Sequence, residues 1–446
     1  MSARRVIWRK LISIALPMML ADSIDSVLWI TDTFFVSKLG DTALEAVGLG
    51  GYLSWLVFSL GSLLYMGTMV VVSQAWGAGD REKAQQALAE AVSLSILISA
   101  PVVIGFWLAS TELVGIIAGP RVSQEAKGMA RSYFLARLAS TPASYAALSL
   151  DSIFRATGKT RPIVKTSLTY ALVNAVLDPI LIYGLLGAPP LGVVGAGIAS
   201  SVANTAFLLA NMALLRETGL KLSVARPSRI AMRIVNVGAP VLAERLTIVG
   251  GHLAYLSEIA RCGDKALAAH TIGVRIESLA FLPLYSLSEA TAVLSGQAMG
   301  REGAEKAKRV TLEGSLLSVA VGSITGAILA LASRSLPSLF TEDPLVRTLS
   351  MAYLLLAAIS EPLFGLAMSL SMGLRGAGNT RVPLLVNLIS FYLARVLLPP
   401  ALIGVAPKPV CAILVWISMV IDFSVRSIVF SIIVDKLLTR LARRVI

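Results

Sequence analysis

The sequence predicts an all-α integral membrane protein of about twelve transmembrane helices in two parallel six-helix repeats. Three observations carry that expectation. Over 446 residues the chain is 56% hydrophobic and 15% charged, with a mean hydropathy of +0.78, a balance outside the range of soluble domains. Apolar runs long enough to cross a hydrocarbon core of ~30 Å recur from end to end. Short sequences also return in order at a nearly constant spacing.

The apolar runs fall at 11–36, 46–75, 88–110, 128–154, 162–186, 192–215, 234–258, 267–297, 311–333, 345–374, 382–405 and 409–435. The first contains Pro17, Asp22, Asp25 and Asp32. Pro17 removes a backbone hydrogen bond and predicts a bend. A carboxylate at mid-membrane costs about 2.5–3.5 kcal/mol on insertion scales, so such groups face a partner or an ion or substrate path. Asp25 and Asp32 stand two turns apart on one helix face, with Asp22 a turn below. Residues 1–21 imitate a signal peptide, but the run continues past Asp22 without a small-residue cleavage site, so they are expected to form an uncleaved first helix.

The net charge of +13 reflects basic loops rather than a nucleic-acid surface. With the N-terminus inside, cytoplasmic segments hold about 25 Lys and Arg and external ones about nine, which predicts a multi-pass protein of the cell (plasma) membrane with both termini cytoplasmic. Cys262 and Cys411 are far apart in sequence and are expected to be packing residues, not a disulfide framework or a metal cluster.

The repeats come next. Gly40-Asp41-Thr42-Ala43-Leu44 returns as Gly263-Asp264-Lys265-Ala266-Leu267, Gln74-Ala75-Trp76-Gly77 as Gln297-Ala298-Met299-Gly300, and Pro17 as Pro240, all 223 residues later. Arg155-Ala156-Thr157-Gly158-Lys159-Thr160-Arg161 returns as Arg375-Gly376-Ala377-Gly378-Asn379-Thr380-Arg381 after 220. Each copy holds six runs, an even number, so the second re-enters in the same orientation. The expected organisation is an N-terminal lobe 1–215, a cytoplasmic linker 216–233 and a C-terminal lobe 234–446, rocking to give alternating access.

Departures from the repeat locate the chemistry. Asp32 aligns with Tyr255, Asp178 with Leu398 and Asp151 with Ser371, so the first half alone carries these acids. Tyr170, Asn174 and Asp178 form a stripe at i, i+4 and i+8 before Pro179, with Tyr133 and Asp151 on the preceding run and Ser200 and Ser201 on the next. The predicted coupling set is Asp32, Asp178, Asn174, Asp25 and Asp151. Tyr133, Tyr170, Ser200, Trp29 and Phe34 are the expected cavity lining. Facing carboxyls would answer to pH, while the same oxygens with Asn174 would suit a bare Na⁺, and the sequence leaves both open. Asn174, Tyr133 and the serines serve equally well as interhelical hydrogen-bonding groups, at about 0.6 kcal/mol each.

In the second half, Glu244 is a candidate second site with Arg245 beside it, and Asp422 with Arg426 reads as an i, i+4 pair. Gly158-Lys159-Thr160 imitates the end of a phosphate-binding loop, but Ile153 stands where its first glycine belongs. Gly192, Gly195 and Gly197 read as helix packing. No enzyme motif and no cofactor is indicated.

Taken together, Thr31 to Val36 with Leu39-Gly40, Gln74 to Gly79, Arg155 to Pro162, Asp178-Pro179, Leu191 to Ala196, His270 to Gln297 and Arg375 to Pro383 resemble the multidrug and toxic compound extrusion (MATE) family, in its DinF-like prokaryotic branch. The resemblance implies twelve helices in two lobes and export of amphipathic, mainly cationic compounds in exchange for H⁺ or Na⁺. It places Asp32 on the family's first-helix aspartate and Asn174 and Asp178 on its fifth-helix pair. At Asp25 and Asp151 the family pattern implies an uncharged amide. The expected partners are small organic cations or drugs and the lipid bilayer, with no nucleic acid and a monomeric chain. The rival readings are a flippase for a lipid-linked substrate, whose cavity should be basic, and a non-transporting scaffold or receptor.

Overall fold

The computed structural model describes residues 3–120 and 122–446, and among these every regular element is helical. The helices are α1 (Ala3–Ser37), α2 (Asp41–Leu60), α3 (Ser62–Gly77), α4 (Arg81–Leu108), α5 (Ser110–Ala118), α6 (Gln124–Leu138), α7 (Thr141–Thr157), α8 (Arg161–Tyr183), α9 (Gly192–Leu214), α10 (Arg229–Arg261), α11 (Asp264–Arg301), α12 (Ala304–Ala332), α13 (Pro344–Gly376), α14 (Arg381–Phe391), α15 (Pro399–Ile403) and α16 (Cys411–Leu441). One π-helical stretch, Tyr392–Leu397, follows α14.

Among the described residues, eleven helical segments are long and apolar enough to cross a membrane, α2 and α3 counting as one. The remaining predicted run, 128–154, falls on the broken pair α6 and α7, interrupted at Ala139-Ser140 and charged at Arg131, Arg137 and Asp151. Proline does not end the first helix: α1 runs on through Pro17.

The repeat is visible in the backbone. Gly40 and Gly263, at equivalent positions, precede α2 and α11 with φ of 100° and 107°, a conformation that only glycine adopts without strain. Outside the membrane spans, Asp80 caps α4 by accepting from the Lys83 backbone N–H, and that bond holds its carboxyl below the usual range.

The chain forms two compact units, the first of Pro17–Val72 and Asp80–Ala239, the second of Met1–Leu16, Ser73–Gly79 and Pro240–Ile446. In the first, α8 lies on α9, α6 on both α2 and α9, and α7 on both α4 and α9. An apolar cluster of Val36, Tyr133, Ile182, Val193 and Ala196 ties the end of α1 to α6, α8 and α9. The segment before α10 is pinned to α4: Gln85 bonds Lys221 through both ends of its amide, and Glu90 accepts from the backbone N–H groups of Ser228 and Ala231. Glu90 therefore acts as a remote cap for the start of α10.

In the second unit α13 packs against α11, α12 and α16 around Tyr255, Tyr353 and Trp416. The duplicated Gln-Ala-x-Gly motifs cross each other here. A Cβ on Gly77 would lie 2.0 Å from the Gln297 carbonyl oxygen, and one on Gly300 would lie 1.9 Å from that of Gln74. The Gln74 amide then donates to the carbonyls of Gly376 and Arg443 and accepts from the Val445 N–H, while Asn379 bonds the Leu441 carbonyl.

The cysteines correct the sequence reading, because Cys262 and Cys411 form a disulfide. A separation of 149 residues hid a pairing that the packing of the end of α10 against the start of α16 creates. We expect maleimide labelling to be negligible before reduction. Cys262→Ser with Cys411→Ser should lower stability by about 2–4 kcal/mol in thermal unfolding, whereas full labelling without reductant would refute the bond.

Candidate functional site

The five acids and amides singled out in the sequence separate into two groups within the first unit. The first joins Asp32 of α1 with Asn174 and Asp178 of α8. Asn174 and Asp178 are fully buried, and their i, i+4 spacing aims the Asn174 amide at Asp178 Oδ1, at 3.4 Å. The carboxyls of Asp32 and Asp178 lie close enough to act on each other. Asp32 Oδ1, Asp178 Oδ2 and Asn174 Oδ1 are buried without a partner. Three orphaned acceptors on two facing helices form a site for something that donates or carries positive charge. Tyr183 donates to the Phe35 carbonyl and so fixes α1 to α8 beside this group.

The second group surrounds Arg155 of α7. Arg155 Nε donates to Asp151 at 2.8 Å, its terminal nitrogen lies 3.9 Å from Asp22, and its guanidinium sits 5.6 Å from the Tyr65 ring centroid. Asp25 is exposed and within electrostatic reach of Asp22, Asp151 and Arg155. Asp25 and Asp32 thus belong to different clusters despite their shared helix face.

Arg137 escaped the sequence reading. It stands one turn after Tyr133 on α6, interacts with the Tyr133 hydroxyl, and acts electrostatically on Asp32, Asp178 and Tyr170. Its signal was an arginine at i+4 from a tyrosine. Tyr170 packs edge-on against Phe207 of α9 and lies within electrostatic reach of both Asp32 and Asp25, bridging the two groups. Ser200 is buried on α9 beside Ser201, whose hydroxyl donates to the Ala136 carbonyl. Trp29 and Phe34 are exposed, at 69% and 55%.

The close approach of α9 to α6 sets Tyr133. A Cβ on Gly197 would lie 2.8 Å from the Ala136 Cβ and 2.9 Å from the Tyr133 carbonyl. Gly195 is packed in the same way on the Leu181 carbonyl, at 2.3 Å, whereas Gly192 has open space and occupies a left-handed turn. Gly197→Leu should therefore push α6 away, costing about 1–3 kcal/mol by overpacking and cutting substrate binding measured by fluorescence titration. Unchanged binding would show that the Tyr133 position does not matter.

Glu244 of α10, in the second unit, is held by Arg375 at 2.8 and 2.9 Å and by the Asn387 amide at 2.8 Å. The counter-charge of Glu244 is Arg375 and not its sequence neighbour Arg245, which is exposed. Asp422 pairs with Arg426 as expected and also with Arg395, at 2.8 Å. Among the described residues no three His, Cys, Asp or Glu side chains are placed to hold a metal ion.

The model of the family described as MatE matches residues 17–180 and 240–400. The probable multidrug resistance protein NorM of Thermotoga maritima is 28% identical over 424 residues, covering 94% of this chain and 90% of that protein. The multidrug resistance protein NorM of Vibrio vulnificus strain YJ016 is 26% identical, covering 86% and 85%. A solved MOP superfamily transporter from Pyrococcus furiosus superimposes with a TM-score of 0.87 over 99% of each chain at 22% identity, a likeness of fold.

Proposed function

The chain belongs to the MatE family of multidrug efflux transporters, and from that premise we propose that it is a secondary antiporter exporting amphipathic, mainly cationic compounds in exchange for H⁺ or Na⁺. Family members are transporters, not enzymes. The observation that carries the reading is the set of orphaned oxygens on Asp32, Asn174 and Asp178. Two carboxyls that act on each other, with oxygens buried and unpartnered, favour a shared proton or a bound cation over two free charges. Entry of the ion would occupy those oxygens, and its release would free them to attract a cationic drug. Arg137 supplies a fixed positive charge at the rim of the group, so that a single added charge brings Asp32, Asp178 and Arg137 to neutrality. Asp25, Asp151 and the Arg155 cluster form a polar path beside it, with Tyr133, Tyr170, Ser200, Trp29 and Phe34 as candidate lining. The acids disfavour a flippase for a polyanionic substrate, and a scaffold would have no need of them.

The protein would span the plasma membrane as a monomer with both termini cytoplasmic. The cystine supports that orientation: Cys411 begins α16 and Arg440 lies in its last turn, so the disulfide lies at the end opposite the basic tail, where an oxidising exterior would keep it.

The test is efflux of a fluorescent cation from proteoliposomes under an imposed pH gradient or an imposed Na⁺ gradient, one at a time. Export driven by one gradient supports the antiporter and names its ion. Export indifferent to both would overturn the coupling and return the flippase to consideration.

A further inference from the structure

In the second unit, α14, the π-helical stretch after it and α16 enclose an apolar groove of about 380 Å³, within the size range of small-molecule sites. Ser390 and Ala394, both buried, form its floor, and its rims are Leu385, Ile389 and Leu393 on one side and Ile421 and Val425 on the other, all exposed. The floor is low because these two side chains are small and the Ser390 hydroxyl is spent on Asp422, at 2.7 Å. The wide turn, closed by the Leu398 N–H on the Leu393 carbonyl at 3.1 Å, keeps Leu393 on the rim while Arg395 of the same turn reaches Asp422 at 2.8 Å. The charges of these helices are spent on one another, and no lining residue of the groove is charged.

Both rims continue, at helical spacing, into exposed basic residues. On α14, Arg381, Leu385 and Ile389 stand at i, i+4 and i+8. On α16, Val425, Val429, Lys436 and Arg440 fall within about 60° of arc around the helix axis. These two ends meet. The Asn379 amide, just before α14, donates to the Leu441 carbonyl at the end of α16, at 3.2 Å, and the Arg443 N–H donates to the Ala377 carbonyl at 2.8 Å. Arg381, Lys436 and Arg440 therefore gather at one mouth of the groove. Asp435, the acid beside Lys436 in sequence, is taken by Lys308 at 3.1 Å.

We propose that this is a binding site for an anionic phospholipid, with one acyl chain in the groove and the headgroup phosphate among Arg381, Lys436 and Arg440. Both helical segments are long and apolar enough to cross a membrane, so an exposed apolar face on them meets acyl chains. Leu385 to Leu398 extends about 20 Å and Ile421 to Val429 about 12 Å at ~1.5 Å per residue, against ~15 Å for half of the hydrocarbon core. A lipid of one leaflet thus fits, its head at the basic mouth and its chain along the groove. On the orientation proposed above that leaflet is the cytoplasmic one, where anionic lipids concentrate. A lipid tail gains little by exchanging neighbouring tails for leucines, so selection comes from charge. Each Lys or Arg near the surface favours an anionic lipid about fivefold. A second copy of the chain is the poorer occupant, because a twofold axis along the membrane normal would bring its own three cations to the same mouth.

Native mass spectrometry of the full-length protein, released from nanodiscs of equal phosphatidylglycerol and phosphatidylethanolamine, tests this without requiring transport. The wild type should retain phosphatidylglycerol in preference to phosphatidylethanolamine. The triple variant Arg381→Gln, Lys436→Gln, Arg440→Gln, altered only at exposed side chains, should weaken that preference about a hundredfold, at about fivefold per charge. Val425→Trp fills the groove from its rim, leaves the cations in place, and should also lose the lipid. Glycerol 1-phosphate, a headgroup without a chain, should not displace it. A phosphatidylglycerol with a photoreactive group in its acyl chain should label peptides of α14 and α16, and this decides the location on the wild type should Val425→Trp fail to accumulate. Equal retention of the two lipids, a preference that survives the triple variant, displacement by glycerol 1-phosphate, labelling confined to other helices, or a dimer free of lipid each overturns the site. Failure of gradient-driven export would sink the antiporter and leave the lipid result standing.

Discussion

Asp178→Asn should abolish gradient-driven export while the protein still folds and reaches the membrane. Asparagine keeps the shape of the side chain and the contact with Asn174, but it can neither share a proton with Asp32 nor offer a charge to a cation. One charge moving across 100 mV yields about 2.3 kcal/mol, enough to sustain a substrate gradient of about fifty-fold. In proteoliposomes carrying Asp178→Asn or Asp32→Asn that gradient should fall to equality. Asp151→Asn should behave differently, because Asp151 already spends its charge on Arg155, and Asp22 remains within reach of that guanidinium. Export should persist at reduced rate. Equal loss from Asp151→Asn and Asp178→Asn would mean that the two clusters act as one site.

The largest effect on stability is expected from Arg375→Ala. The change strands Glu244 as an unpaired charge among buried groups, with only the Asn387 amide left to it. Breaking one side of a buried pair costs about 3–5 kcal/mol, much of it the penalty of the abandoned partner. Glu244→Gln in the same molecule should therefore recover a large part of the loss, and Glu244→Gln alone should cost less than Arg375→Ala. Thermal unfolding in detergent reads all three. Additive losses in the double variant would show that the two residues act independently. The contrast with Asp178 matters for function, since Glu244 has a fixed counter-charge on a neighbouring helix and Asp178 has none as close.

The sequence made the helices and their duplication readable because both are local properties. Hydropathy marks a span wherever it sits, and the Gly40 and Gly263 turns repeat because each needs the same backbone conformation. The acids of the first half were also legible, since a carboxylate inside an apolar run is conspicuous in any context. Pairing was not. Arg245 adjoins Glu244 in sequence, yet a helix turns about 100° per residue and carries it to another face, leaving Arg375 to make the bond. Asp25 and Asp32 share a face, but Arg155 gathers one group and Asp178 the other. Arg137 went unnoticed because a single arginine acquires meaning only when α1 and α8 bring their carboxyls to it. The Cys262–Cys411 bond likewise depends on two helix ends meeting in space.

The tethering of Gln74 also sets an order of events during biosynthesis. Its amide accepts from the N–H of Val445, 371 residues later in the chain. At ribosomal speeds of ~5–20 residues per second, the partner emerges roughly 20–75 s after the glutamine does. Throughout that interval the oxygen of the Gln74 amide is without this donor, so the end of α3 cannot reach its final hydrogen bonding until translation reaches Val445. Shortening the chain by a handful of C-terminal residues should consequently disturb a helix made near the beginning.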